Sequence, residues 1–287
     1  IIVLILLAIL PLHEIRAQYN TNRLIISGQS ALYYEDYVLS IQYFNQALAA
    51  KPYLYEPWFY RGLAKFYLDD YTGSEADVTK AIELNPYVFN MFELRGLCRI
   101  RQKHYAQAID DYTRSINLNP QNQTAWYNRA LCRIEDKDYV QAQLDLDTVI
   151  TRWKSYASAY SLKAQVYLLQ ADTLTADKWL DKSLQVAPYD VDAWNMRGMI
   201  ALSRAEWKNA DTYLSKVIHL KPKNAANYVN RALARYNTNN LRGAMSDYDT
   251  AIDFDPDNFL AHYNRGLLRM NLGDDSRAIE VFDYVIR

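Results

Sequence analysis

The chain has 287 residues, half of them apolar, with 32 basic and 33 acidic side chains and a formal net charge of −1. That length is ample for a buried core in one elongated or two compact domains. The balanced charge gives no overall attraction for nucleic acid or an anionic membrane, and it excludes a globally basic binding face.

The chain opens with IIVLILLAILPL and continues HEIRAQ. Residues 1–17 read as the end of a secretory signal peptide, clipped at its start, with cleavage after the small residue Ala17. The apolar run is shorter than the roughly 20 residues that span a bilayer; with no leader before Ile1, a longer anchor stays an open alternative. No cysteine adjoins the cleavage site, which argues against a lipoprotein anchor. The expected location is exported, periplasmic or extracellular in a bacterial envelope, with 18–287 as the mature chain.

A single period dominates residues 21–287. Prolines at 52, 86, 120, 188, 222 and 256 are separated by 34 residues or twice 34, and Lys154 stands where the missing member would be. Taking this proline as position thirty-two, repeats start at 21, 55, 89, 123, 157, 191, 225 and 259, the last one truncated. Position eight is always Gly or Ala, and position twenty is always Ser or Ala. Position four is mostly aromatic (Trp58, Phe92, Trp126, Tyr160, Trp194, Tyr228), and position twenty-four is large in most repeats, from Phe44 to Phe282. This spacing predicts two amphipathic helices per repeat. The small residues let the helices approach closely, the large ones fill the space beside them, and the proline ends the second helix. Such a hairpin cannot bury its faces alone and stacks on its neighbours.

These columns carry a resemblance. In length and in the order aromatic, small, small, aromatic, Pro, residues 21–287 resemble the tetratricopeptide repeats. WYNRALCRIEDKDYVQAQLDLDTVI and YVNRALARYNTNNLRGAMSDYDTAIDFDP match closely. The resemblance implies an all-α, right-handed superhelical solenoid of antiparallel helix hairpins, of an exported bacterial type. Repeat five departs most, with Trp153-Lys154 at its entry and LLQADTLTADKW in place of an aromatic turn, and it is the expected irregular joint. No capping helix follows repeat eight before Arg287, so the natural chain is expected to continue.

YNRALCR (127–133), VNRALAR (229–235) and YNRGLLR (263–269) each set two arginines four apart, at positions seven and eleven. The family pattern turns these columns inward, where an unpaired charge is costly. Position twenty-three is Asp77, Asp111, Asp145 and Asp247 in four repeats that have Lys or Arg at eleven, and aromatic in three that do not; only Arg269 with Val281 breaks the rule. The expectation is an ion pair within each repeat, from the aspartate to the base at eleven, with the seventh-position arginine nearby. Solvated charges on a helix face are the alternative.

No catalytic constellation is present. The four histidines, His13, His104, His219 and His262, do not sit at metal-ligand spacing, and there is no Gly-rich phosphate loop or nucleophile elbow. Cys98 and Cys132 share position ten of successive repeats, where helix spacing of about 8–10 Å is too wide for a disulfide. Asp69-Asp70, Asp110-Asp111 and Gly273-Asp274-Asp275 fall where turns and helix starts need acids. No catalytic residue, metal, cofactor, nucleic-acid partner or small-molecule substrate is expected.

By resemblance, the first helices line a concave groove for a protein or peptide. Its candidates are Phe59, Leu63, Tyr67, Leu97, Arg101, Tyr127, Asn128, Leu131 and Glu135, then Asn195, Met199, Asn230, Leu233, Asn237, Tyr263, Asn264 and Leu267. Aromatics supply rigid contact area, and asparagines can bond a peptide backbone. Ninth-position leucines that only pack between helices are the alternative. The lysine and asparagine with which some relatives clamp a C-terminal carboxylate are missing. The expected function is a non-catalytic interaction scaffold. The alternatives are the interaction part of a longer enzyme or sensor, an RNA-binding helical repeat, and self-association through the uncapped last repeat.

Overall fold

The computed structural model describes residues 20–286; the expected signal peptide lies outside them. Among the described residues there are sixteen helices and no strand. The first helices of the repeats are α1 (20–33), α3 (Tyr55–Tyr67), α5 (Phe89–Arg101), α7 (Gln123–Glu135), α9 (Ala157–Leu169), α11 (Val191–Ser203), α13 (Ala225–Asn237) and α15 (Phe259–Asn271). Their partners are α2 (Tyr37–Ala50), α4 (Tyr71–Leu84), α6 (Tyr105–Leu118), α8 (Tyr139–Arg152), α10 (Thr173–Val186), α12 (Trp207–Leu220), α14 (Leu241–Phe254) and α16 (Asp275–Ile286). The predicted hairpin register holds in all eight repeats, and repeat five keeps helices of the same length as its neighbours.

The chain divides into two compact units, one up to Val149 and one from Ile150. The division falls in α8, at the entry to the repeat expected to be irregular. In the first unit consecutive helices pack from α2 to α7, and in the second from α9 to α16. First helices also touch each other, α3 with α5, α9 with α11 and α13 with α15, so odd-numbered helices lie side by side within each unit.

One turn recurs eight times. The residue at position fifteen is left-handed: Glu35, Asp69, Lys103, Lys137, Ala171, Ala205, Asn239 and Gly273 all have positive φ. Its N–H and the next one reach back to the carbonyls at positions twelve and eleven, as Asp69 to Phe66 and Asp70 to Lys65. This is a Schellman closure, usually built on glycine, and only Gly273 adopts it without strain. The following residue caps the second helix: Asp36, Asp70, Asp138, Asp172 and Asn240 each accept the N–H three residues on. The acids of the Asp69-Asp70 turn therefore do what their position suggested. Asp110 and Asp111 do not; they lie in the middle of α6.

The small columns are contact points. A Cβ on Gly28 would meet the Phe44 ring at 2.7 Å, and one on Gly62 would meet Val78 at 2.7 Å, so position twenty-four fills the space that position eight leaves. Position four closes each repeat onto the one before. Trp58, Trp126 and Trp194 donate indole N–H to the carbonyls of Pro52, Pro120 and Pro188, six residues back. Tyr160 does the same to Lys154, so the missing proline does not break the pattern. His262 Nε2 lies 2.8 Å from the Pro256 carbonyl and belongs to this column.

Candidate functional site

The arginines come first, because their availability decides what the chain can bind. Asp77, Asp111, Asp145 and Asp247 are buried in the second helices. Each is gripped by the arginine at position seven through two guanidinium nitrogens: Arg61 at 2.8 and 2.6 Å, Arg95 at 3.1 and 2.7 Å, Arg129 at 2.9 and 2.7 Å, Arg231 at 2.9 and 2.6 Å. The base at position eleven makes a second contact: Lys65 at 2.8 Å, Arg99 at 2.8 Å, Arg133 at 2.6 Å and Arg235 at 2.9 Å. Pairing is within the repeat, as expected, but the order is reversed. Position seven supplies the two-point fork and position eleven adds to it, because the fork matches a carboxylate's geometry.

The third nitrogen of the fork reaches the preceding repeat. Arg61 donates to Asn45, Arg95 to Thr79, Arg129 to Thr113 and Arg231 to Ser215, always sixteen residues back. The guanidinium also lies over the position-four ring, with Arg61 4.7 Å from Trp58 and Arg129 4.8 Å from Trp126. Where position twenty-three is aromatic, the cation turns to that ring. Lys163 sits 4.2 Å from Trp179 and Arg197 5.0 Å from Tyr213. Repeat eight has neither an aspartate nor a ring at position twenty-three: Arg265 bonds Asp249 at 2.9 Å, and among the described residues its Nε is buried without a partner and Arg269 has no ion pair. In the four aspartate repeats the basic pair at positions seven and eleven is thus held by a buried carboxylate of the same repeat.

Two polar clusters were not legible. Glu93 accepts from Ser115 Oγ at 3.3 Å and from the Asn122 side-chain amide. At the same repeat positions Asp190 accepts from Ser161 and Ser183, each at 2.9 Å. Burial pushes the Glu93 carboxyl above its ordinary range, against the pull of its two donors. The available signal was serine at position twenty-seven beside an acid at five or thirty-four. Cys98 and Cys132 are free and buried; burial raises their thiols to about 11 and about 12, which leaves little thiolate for nucleophilic chemistry. Among the described residues no group of histidine, cysteine and carboxylate side chains could hold a metal, and no helix is long and apolar enough to cross a membrane.

The expected groove residues all lie on first helices, and none is fully buried. In the first unit Phe59 and Leu63 lean on the core beneath α3, while Tyr67, Arg101 and Glu135 are exposed. Tyr127, Asn128 and Leu131 are half-buried on α7, and so is Leu97 on α5. In the second unit Met199, Leu233, Asn237 and Tyr263 are exposed, with Asn195, Asn230, Asn264 and Leu267 half-buried. Neighbouring first helices bond each other there. Asn230 donates to the Met199 sulfur at 3.4 Å and Asn271 to the Tyr236 hydroxyl at 2.9 Å, so Asn271 and Tyr236 belong with this face although they were not among the expected residues.

Paired helices, a constant period and an odd-helix face define a helical-repeat protein. Residues 94–144 match a tetratricopeptide repeat model and residues 232–273 a TPR repeat model. The C-terminal part of a TPR repeat-containing protein from Cytophaga hutchinsonii superposes with a TM-score of 0.65 at 16% identity, covering 82% of this chain and 96% of that one. A tetratricopeptide repeat protein from Parabacteroides merdae gives 0.60 at 19%, covering 80% and 91%. A chain of the APC/C hetero-tetramer Cut9–Hcn1 gives 0.58 at 14%, covering 92% and 52%. At such identities the likeness is one of fold. No curated protein matches the sequence. The chain thus carries tetratricopeptide repeats, matched at 94–144 and 232–273, within a fold of eight helix pairs.

Proposed function

We propose that the chain is a non-catalytic scaffold whose first-helix face binds an extended or helical segment of another protein. The observation that carries this reading is the contrast between columns. In the four aspartate repeats the carboxylate at position twenty-three holds the charges at positions seven and eleven inside the repeat. Apolar, aromatic and asparagine side chains at five, six, nine and thirteen stay accessible on helices that lie side by side. Extended area of this kind offsets weak individual contacts. A neighbour of the same fold belongs to a hetero-tetramer, which supports the reading by analogy only. Export to the bacterial envelope is part of the proposal and rests on the apolar opening segment alone.

The test is affinity capture from envelope extract with residues 18–287, beside two variants verified as folded by circular dichroism. One carries Tyr127→Ala with Leu131→Ala, the other Asn230→Ala with Leu233→Ala. The expected result is a protein retained by the parent and depleted about tenfold or more by at least one variant. Equal retention by all three would place binding away from this face.

A further inference from the structure

The two hairpin turns of repeats one and two carry the densest group of exposed aromatic rings in the first unit. Tyr33 is 81% exposed, Tyr34 76% and Tyr67 54%. Tyr33 and Tyr34 meet edge to face at 5.3 Å. Across the turns Tyr37 and Tyr67 stack at 5.0 Å with their planes 17° apart, joining the two repeats into one surface. Neither closing a hairpin nor filling a core requires these rings: the same turn closes in repeats six and seven on Ala205 and Asn239 with no such group.

The charge around the rings has one sign. Segments 31–39 and 66–73 contain Glu35, Asp36, Asp69 and Asp70 and no lysine or arginine. Asp36 and Asp70 cap α2 and α4, and Asp69 accepts from the Tyr71 hydroxyl. The adjoining Lys65 is held by Asp77. The patch ends at the third turn, where the exposed Arg101 and Lys103 reverse the sign.

We propose that this edge docks a cationic segment of a partner protein, its lysine or arginine side chains lying on the tyrosine rings between the carboxylates. Ring faces attract cations, and flanking carboxylates steer and hold them. The turns are one repeat apart, about 10 Å at ordinary helix spacing. An extended chain advances about 3.3 Å per residue, so cations about three residues apart meet successive turns. A neutral glycan could stack on the rings and donate hydroxyls to the carboxylates, but only a cation also gains the attraction of the four negative charges. The site is separate from the groove of the proposed function, with which it shares only Tyr67.

Calorimetric titration of the whole chain with a peptide repeating Arg-Gly-Gly tests it. Binding is expected, weakened about tenfold by Tyr33→Ser with Tyr34→Ser, and about tenfold by Glu35→Gln with Asp69→Asn. Raising salt from about 0.01 to 0.15 M should weaken it further, as the Debye length falls from roughly 30 to 8 Å. The variant Tyr127→Ala with Leu131→Ala should bind like the parent, which keeps failure of this site distinct from failure of the groove. The proposal is overturned if the parent does not bind, if both patch variants bind like the parent, if a Glu-Gly-Gly peptide binds equally well, or if a neutral oligosaccharide binds in place of the arginine peptide.

Discussion

Asp111→Asn is expected to lower the stability of the chain by about 3 kcal/mol, measured by urea unfolding followed by circular dichroism. Asp111 is 2% exposed and sits between Arg95 and Arg99. Asparagine keeps the shape but removes the charge, which leaves two mostly buried guanidinium groups facing a neutral amide. Breaking a buried pair from one side costs about 3–5 kcal/mol because the remaining charge is uncompensated. Arg99→Met should cost less, about 1 kcal/mol, since the Arg95 fork still holds the carboxylate and the half-buried Glu75 keeps its bond from the Gln102 amide. Removing all three charges together with Arg95→Met, Arg99→Met and Asp111→Leu should return most of the loss, because a well-packed apolar replacement is often neutral. A loss under about 1 kcal/mol for Asp111→Asn would mean that the arginines are solvated and the pairing is incidental.

The second large effect is at Tyr112, where two substitutions should move in opposite directions. Tyr112 is fully buried, with its ring 3.0 Å from the place a Cβ on Gly96 would take. Truncation leaves a cavity that α5 and α6 cannot close, so Tyr112→Ala should cost about 4 kcal/mol. The hydroxyl, in contrast, has no partner in hydrogen-bond geometry among the described residues. Burial pushes its ionisation well above the ordinary tyrosine range, so it stays neutral and contributes no charge. Tyr112→Phe removes an unpaired polar group at unchanged packing and should raise stability by about 1 kcal/mol. If Tyr112→Phe instead costs as much as a lost hydrogen bond, the hydroxyl is paired in solution, with the nearby Asn128 amide as its donor or acceptor.

The hairpin register could be read from the sequence because proline, the small columns and the large columns report backbone events that repeat every 34 residues. Asp111 was legible as an ion-pair partner because its presence followed the base at position eleven from repeat to repeat. The fork from position seven was not, since nearly every repeat has a base there and the column therefore carries no contrast. The left-handed residue at position fifteen was hidden for another reason. Glycine marks it only in repeat eight, and Ala171 or Lys103 gives no hint of positive φ. The Glu93 and Asp190 clusters place their acids at different positions of the repeat, so no single column shows them. Groove residues were legible as a face, but a face becomes a site only through a partner, and one chain's sequence does not contain the partner. The tyrosine edge was hidden because its rings sit at positions thirteen, fourteen and seventeen of two repeats, outside any column shared by all eight.

The arginines four apart hold a carboxylate from the facing helix, and repeat eight allows this to be tested, because Val281 occupies the aspartate's position there. The measurement is the unfolding midpoint of Val281→Asp, with Val281→Asn as the control. A buried valine replaced by aspartate ordinarily costs several kcal/mol. Here the new carboxylate meets an Arg265 Nε and an Arg269 that have no ion-pair partner among the described residues, so stability should rise by about 1 kcal/mol, while the asparagine variant falls. If Val281→Asp falls as far as Val281→Asn or further, the arginine pair does not define a carboxylate site.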